Sequence, residues 1–464
     1  MARRPVFMTN EPIKAAIESR RVMRKGGAAP DGEKATGEGA SGAKGLNAVA
    51  AALKETKGRS RKSNRSPVNL LWPERLHVDG NGRPHPNLEN VMLALREDPG
   101  LRETFAFDEF SREVRLTGRL PAPPNARALP KESDRELRDT DCTQVLEYLQ
   151  HHAMPRLGWD TVHRGITMRA TERPTHPVRN YLDGLRWDGQ PRLESWLTYY
   201  LGADHNAYTR SVGRMFLISA IARVRRPGCK VDYVPILEGP QGIRKSTACA
   251  ILGGEWYTDN LPDITKGKEV SQHLRGVWFV EIGELSAIGK AEIELLKTFI
   301  TRQKEKYRPP YGREDVIEPR QCVFIGTTNA TTYLRDETGA RRFWPIAVRS
   351  VDSESLFRDR DQLFAEADAA FQEGWSWHPE GDFEVEYCRP EQERRYEEDP
   401  WADAIKKYVD NRDKVKVTEV AVQCLLFETK HLGTRDQRRI SGILNRLGFV
   451  SRRDMDARWY VREG

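Results

Sequence analysis

The chain has 464 residues, 38% hydrophobic and 31% charged, enough apolar material for cores in two to four domains. It holds no run of about 18 apolar residues and no apolar stretch of signal-peptide length near its start; this argues against membrane association and for a cytoplasmic protein. The net charge of +7 is concentrated in residues 1–66, which alone carry +9, so any nucleic-acid surface on the folded part has to come from local clusters. Six scattered cysteines without CxxC spacing argue against a disulfide framework or a zinc site.

Residues 1–66 read as a disordered basic tail, because the stretch from Gly26 to Gly45 has almost no large side chain to bury. Residues 67–205 read as a mostly helical N-terminal region. Leu88, Val91, Met92 and Leu95 recur at helical spacing, and Phe105 to Leu116 suggests short strands. Leu120 to Asn125 is a proline-rich break, followed by helices over 141–151, 177–184 and 193–202. Residues 206–390 form an α/β core. It opens on a long helix, and the apolar runs Tyr233–Leu237, Val277–Val280 and Cys322–Ile325 suit a sheet buried on both faces. Pro235 counts against the first of these as a central strand.

The last segment, 391–464, reads as a winged helix-turn-helix. Helices are expected over 401–409 and 418–429. A third starts at a capping box, Thr434 to Gln437, and continues with Ile440, Ile443, Leu444 and Leu447. Phe449-Val450 and Trp459 to Val461 then suggest a hairpin.

The chemistry is concentrated in the α/β core. Gly239, Pro240, Gln241, Gly242, Ile243, Arg244, Lys245, Ser246 and Thr247 follow an apolar strand and open a helix, the context a phosphate-cradling loop requires. Lys245 would reach the β- and γ-phosphates of ATP, and Ser246 would offer its hydroxyl to Mg²⁺. Arg244 stands where the usual pattern has a second glycine, and a side chain there would crowd the approach to phosphate. The blander alternative is a glycine-rich turn before a helix. Glu281 and Glu284 lie at the tip of a buried strand. One would hold Mg²⁺, which makes Glu281 a metal candidate beside Ser246, and one would orient the attacking water; the order of roles stays open. Asn329 ends the next apolar strand and could position the γ-phosphate or that water. Arg341 and Arg342 form a cationic pair in a turn before Phe343-Trp344-Pro345, which fits either an arginine finger or two surface cations.

Taken together, Gly239-Pro-Gln-Gly, Lys245-Ser246, Trp278 to Glu284, Thr301-Arg302-Gln303, Tyr307 to Arg313, Thr327-Thr328-Asn329 and Gly339 to Pro345 resemble the virulence-associated protein E family. That family is related to superfamily 3 and poxvirus-type primase-helicases. The resemblance implies an AAA+-like P-loop ATPase core in a hexameric ring, with single-stranded DNA in the channel and a role in phage or mobile-element replication. No primase motif stands out, so a primase would be a separate partner. In related helicases a hairpin before the last strand enters the channel. Lys304, Lys306, Arg308, Tyr311 and Arg313 would supply cations and an aromatic face there, unless the segment is only a proline-packed turn. In the terminal module, Arg435, Arg438 and Arg439 suit DNA contact, although a docking module with a solvated basic face would look the same. An ATP-regulated initiator without unwinding activity and an ATP-fuelled effector in host–phage conflict remain the alternatives to a helicase.

Overall fold

The computed structural model describes residues 72–121, 134–285, 290–308, 314–334, 340–397, 399–453 and 458–463. The basic tail, Tyr311 and Arg313 lie outside the described residues. The chain divides into two compact units, one running to Phe107 and resuming over Glu113–Pro174, the other comprising Asp108–Arg112 and Thr175–Gly464.

In the first unit, helix α1 (Leu88–Glu97) is capped by Asn87, whose side chain accepts from the Asn90 amide. Its buried stripe of Val91, Met92, Ala94 and Leu95 follows the expected spacing. Strands β1 (Phe105–Asp108), β2 (Glu113–Leu116) and β3 (Arg135–Glu136) lie side by side in the order β3-β2-β1. Helices α2 (Asp139–His152) and α3 (Trp159–Thr171) complete the core. Gly165 lets α3 approach α1 closely, since a Cβ there would lie 2.5 Å from Val91. Buried Asp98 accepts from Trp72 Nε1 at 2.8 Å and from the Tyr148 hydroxyl at 2.7 Å, so this core contains a satisfied carboxylate.

The second unit opens with α4 (Pro177–Asp183), α5 (Trp196–Leu201) and the long α6 (Ala207–Arg225). Strand β4 (Val234–Glu238) is followed by α7 (Lys245–Gly253), β5 (Tyr257–Thr258), α8 (Lys268–His273), β6 (Phe279–Ile282) and α9 (Lys290–Ile300). The antiparallel hairpin β7 (Lys304–Tyr307) and β8 (Val316–Pro319) precedes β9 (Val323–Thr328), β10 (Phe343–Ala347) and α10 (Ser353–Gln372). Five of these strands form one parallel sheet in the order β10-β4-β9-β6-β5.

Alternation along the strands separates the two faces. Leu237, Phe279, Ile325, Trp344 and Ile346 join a core with α6, α7 and α10. Val234, Ile236, Val280, Ile282, Phe324 and Phe343 join another with α8 and α9. This three-layer arrangement accounts for the continuous apolar runs in the sequence. Pro235 is tolerated because its strand pairs with β9 only from Ile236 onward. Two edge strands, β5 and β10, go beyond the three the sequence suggested. The strand before Asn329 also runs three residues further than expected, through Thr328.

After α11 (Arg389–Arg394) comes a module with its own core, built from α12 (Ala402–Val409), β11 (Lys414–Val415), α13 (Thr434–Arg446), β12 (Phe449–Arg453) and β13 (Arg458–Arg462). The hairpin forms as expected, and β11 adds to it in the order β11-β13-β12. Two details differ from the sequence reading. The helix expected over 418–429 ends at Cys424, and Leu426 leaves it with φ of 57°. The N-cap of α13 is Gly433, whose amide donates to Asp436, one residue earlier than the Thr434 box.

Candidate functional site

Because the sheet is parallel, the carboxyl ends of β4, β6 and β9 open on one edge, the edge where ligands of open α/β sheets bind. Register aligns Thr328 with Glu238 and Ile325 with Glu281, so the Gly239 loop, Glu281 and Asn329 all face this edge. The sequence separates these residues by up to 90 positions.

The loop turns tightly. Gly239 packs so closely that a Cβ would lie 2.4 Å from the Val348 carbonyl oxygen, and Gly242 has φ of 88°. Arg244 takes the left-handed conformation at φ 70°, at a cost of about 1–2 kcal/mol for a non-glycine residue. Its side chain does not fill the loop: the guanidinium turns outward and donates to Ser353 Oγ at 3.3 Å. Crowding of the loop interior by Arg244, expected from the sequence, is therefore not observed. Ile243 packs against the core, whereas Gln241 is exposed.

Lys245 opens α7 and is 7% exposed. Its ammonium donates to the carbonyls of Gly239 at 2.7 Å and Pro240 at 2.9 Å, and to Asn329 Oδ1 at 2.9 Å. Burial lowers its pKa, and the nearby Glu281 charge opposes that shift. The next residue, Ser246, donates to Glu281 Oε1 at 2.6 Å, and Thr327 donates to the same oxygen at 2.7 Å. The Tyr257 hydroxyl donates to Glu281 Oε2. Glu281 is 3% exposed, so three hydroxyls hold a buried carboxylate beside the first turn of the helix. Burial and the Glu281 charge push the Tyr257 phenol well above its ordinary value, so it stays a donor. Tyr257 was not singled out in the sequence, and Thr327 appeared there only within the Thr327-Thr328-Asn329 motif, with no role assigned. Tyr257 lies on a two-residue edge strand that has no periodic signal.

The other sequence candidates are placed elsewhere. Glu284 sits on an exposed turn beyond β6, with φ of 48°. Arg341 and Arg342 immediately precede β10, whose first residue pairs with the first residue of β4. They therefore lie at the amino-terminal edge of the sheet, and the five-residue β4 separates them from the Lys245 loop by about 13 Å along the strand. At that amino edge, buried His176 accepts from the Arg179 amide through Nδ1, which places its proton on Nε2 facing Gln321 at 2.8 Å. Lys304 and Lys306 lie on the exposed face of β7, Arg308 immediately follows the strand, and the three line a cleft of about 450 Å³ with Lys268 and Arg302. Arg435 and Arg438 are exposed on α13. Arg439 is engaged within the module, with two bonds to Asp399 at 2.6 and 2.8 Å and its guanidinium 3.7 Å from the centroid of the Trp401 ring.

Residues 182–397 match the virulence-associated protein E-like domain. The matched span begins in α4 and ends just past α11, so it contains the whole parallel sheet, the loop, Glu281, Asn329 and both arginines of the turn. The terminal module lies beyond it. Among solved structures, an A-form apo structure of the NrS-1 C-terminal region is similar at 13% identity with a TM-score of 0.42, covering 78% of this chain and 96% of that one. A second apo structure of the same region is similar at 14% identity with a TM-score of 0.40, covering 77% and 95%. No curated protein matches. Among the described residues, no helix is long and apolar enough to cross a membrane.

Proposed function

We propose that this chain is an ATP-hydrolysing DNA motor acting in phage or mobile-element replication. The observation that carries the proposal is the convergence of Lys245, Ser246, Glu281 and Asn329 at the carboxyl edge of a parallel sheet, where Lys245 bonds to Asn329 and Ser246 to Glu281. In this reading the Gly239–Thr247 loop is a P-loop. The loop amides and the start of α7 favour a phosphate group, and Lys245 exchanges its carbonyl partners for phosphate oxygens. The adjoining Ser246 hydroxyl and Glu281 carboxylate form an oxygen-rich pair that suits Mg²⁺, which would neutralise charge on the phosphates. Asn329 then orients the terminal phosphate, and Glu284, on its exposed turn, is the remaining candidate for orienting water.

The two arginines of the turn belong to a neighbouring copy's site, because the length of β4 keeps them from their own. This favours a ring of AAA+-like, superfamily 3 type subunits. Lys304, Lys306 and Arg308 on one hairpin face suit single-stranded DNA in the centre of such a ring. The terminal module has the element order of a winged helix-turn-helix, with Arg435 and Arg438 available for DNA. Those two exposed cations also favour a second reading, an ATP-regulated DNA-binding initiator that does not unwind.

The test is ATPase and fork-unwinding assays on the wild type and on Lys245→Ala. The motor reading expects both activities in the wild type, and a loss of turnover on the order of a hundredfold or more in the variant. Hydrolysis without unwinding selects the initiator. Unchanged turnover in a folded Lys245→Ala protein refutes the nucleotide site.

A further inference from the structure

Glu238, the last residue of β4, immediately precedes the loop and is 6% exposed. A buried carboxylate needs partners, and its partners come from far along the chain. Arg395, just after α11, donates to both its oxygens through Nε and Nη2, each at 3.0 Å. Tyr333 donates its hydroxyl to Oε1 at 2.7 Å. Arg395 also bonds to Glu391, which leaves its guanidinium little freedom.

The same residues meet again through the backbone. The amides of Tyr333 and Leu334 both donate to the Arg395 carbonyl at 3.0 Å, and the Glu397 amide donates to the Leu334 carbonyl at 2.9 Å. The segment just after Asn329 is thus tied to residues 395–397 by its backbone, and to Glu238 by a side chain. Two of the three oxygens that receive the Lys245 ammonium, those of Gly239 and Asn329, lie one and four residues from these anchor points. On the other side, the Arg446 guanidinium of α13 lies 3.3 Å from the centroid of the Tyr396 ring, and Arg439 of the same helix binds Asp399. Arg395, Glu397, Tyr396 and Asp399 therefore join the loop's support to the terminal module.

We infer that Glu238, Tyr333 and Arg395 are positioning residues that hold the Gly239 loop and the Asn329 segment in one fixed relation around Lys245, and that Arg395, Tyr396 and Asp399 pass displacement of that support to α13. None of the three side chains contacts Lys245. They act by restricting where its partners sit, and burial, which raises the Glu238 pKa despite Arg395 and Tyr333, makes the bidentate bond costly to weaken. The inference rests on the P-loop reading only for its effect on nucleotide.

The experiment measures amide hydrogen exchange in the nucleotide-free full chain for the wild type, Arg395→Lys and Tyr333→Phe. It is followed by titration of each with ATP and Mg²⁺. Lysine keeps the charge and loses the two-point bond; phenylalanine removes one hydroxyl and is the variant that retains the fold. Expected is exchange roughly tenfold faster in both 239–248 and 329–334 for Arg395→Lys, with a smaller increase in the same segments for Tyr333→Phe. Residues 434–446 should also exchange faster in Arg395→Lys. Affinity for ATP should weaken by roughly tenfold in Arg395→Lys. Exchange unchanged in the loop and the Asn329 segment, or altered only around residue 395, overturns the inference. A wild type that binds no ATP sinks the P-loop reading, and the exchange result still decides the positioning role.

Discussion

Replacing Tyr257 with Phe tests the carboxylate cluster with the smallest change available. The ring stays, and the hydroxyl that donates to Glu281 Oε2 is removed. Oε1 keeps its bonds from Ser246 and Thr327, but Oε2 loses a donor in a residue only 3% exposed. A bond to a buried charged group contributes about 1.5–3 kcal/mol, and the oxygen left behind recovers little from solvent. For a unit of this size, that corresponds to a fall in melting temperature of about 3–6 °C. The functional effect follows from freedom gained by the carboxylate. If Glu281 and Ser246 together hold Mg²⁺, a looser Glu281 raises the Mg²⁺ concentration needed for half-maximal ATPase and lowers turnover by about tenfold, equivalent to ~1.4 kcal/mol. The assay is thermal melting in parallel with ATPase across a magnesium titration. An unchanged melting point would show that the hydroxyl contributes nothing to the buried carboxylate. A lowered melting point with unchanged magnesium dependence would show that Glu281 is structural.

Three further outcomes are expected. An Arg341→Ala/Arg342→Ala chain and a Lys245→Ala chain, each inactive alone, should recover up to about a quarter of wild-type ATPase when mixed equally, since one interface in four then joins an intact loop to an intact turn; mixed assemblies with no recovery would rule out action in trans. Arg244→Gly should leave ATPase within about twofold of wild type and change stability by less than ~1 kcal/mol, because relief of the left-handed strain offsets the added chain entropy; a large loss of activity on denaturant-checked, folded protein would assign the guanidinium a role. Burial lowers the His176 pKa below its ordinary 6.5. The unfolded chain then takes up this proton first as the medium is acidified, so the stabilisation is complete above about pH 6.5 and is lost as pH falls toward the folded value. Urea unfolding at pH 7.5 and 5.5 should show a smaller difference for His176→Gln than for the wild type, and equal differences would refute the assignment.

The parts of the site legible in the sequence are those whose chemistry depends on local backbone. Gly239 to Ser246 stands out because a strand, tight turns and a helix start follow one another within a few consecutive residues. Glu281 and Asn329 follow because each ends an apolar run. Tyr257 leaves no such trace, since a two-residue strand has no period and its hydroxyl matters only once β5 lies beside β6. Glu238 and Arg395 are 157 residues apart, and neither stands out until the chain is folded. Arg439 shows the converse. Its position on the polar face of α13 fits DNA contact, but Asp399 and Trp401, on the approach to α12, engage its guanidinium. The terminal module's helix boundaries drifted for a related reason, as Leu426 adopts a conformation that composition does not signal.

If Arg341 and Arg342 serve a neighbouring copy's loop, as proposed, their placement opposite Lys245 makes the two ends of the sheet genetically unequal. A copy with a damaged loop would then disable itself yet still serve its neighbour, whereas a copy with a damaged arginine turn would keep its own loop and silence the copy beside it. Co-expressed with the wild type, the two lesions would leave the same number of working sites but in different subunits. A label on the mutant chain could therefore distinguish them, with nucleotide turned over on labelled copies in one case and only on unlabelled ones in the other. Such an association would be head-to-tail, and each chain added would present the next with the same unpaired end until the last met the first.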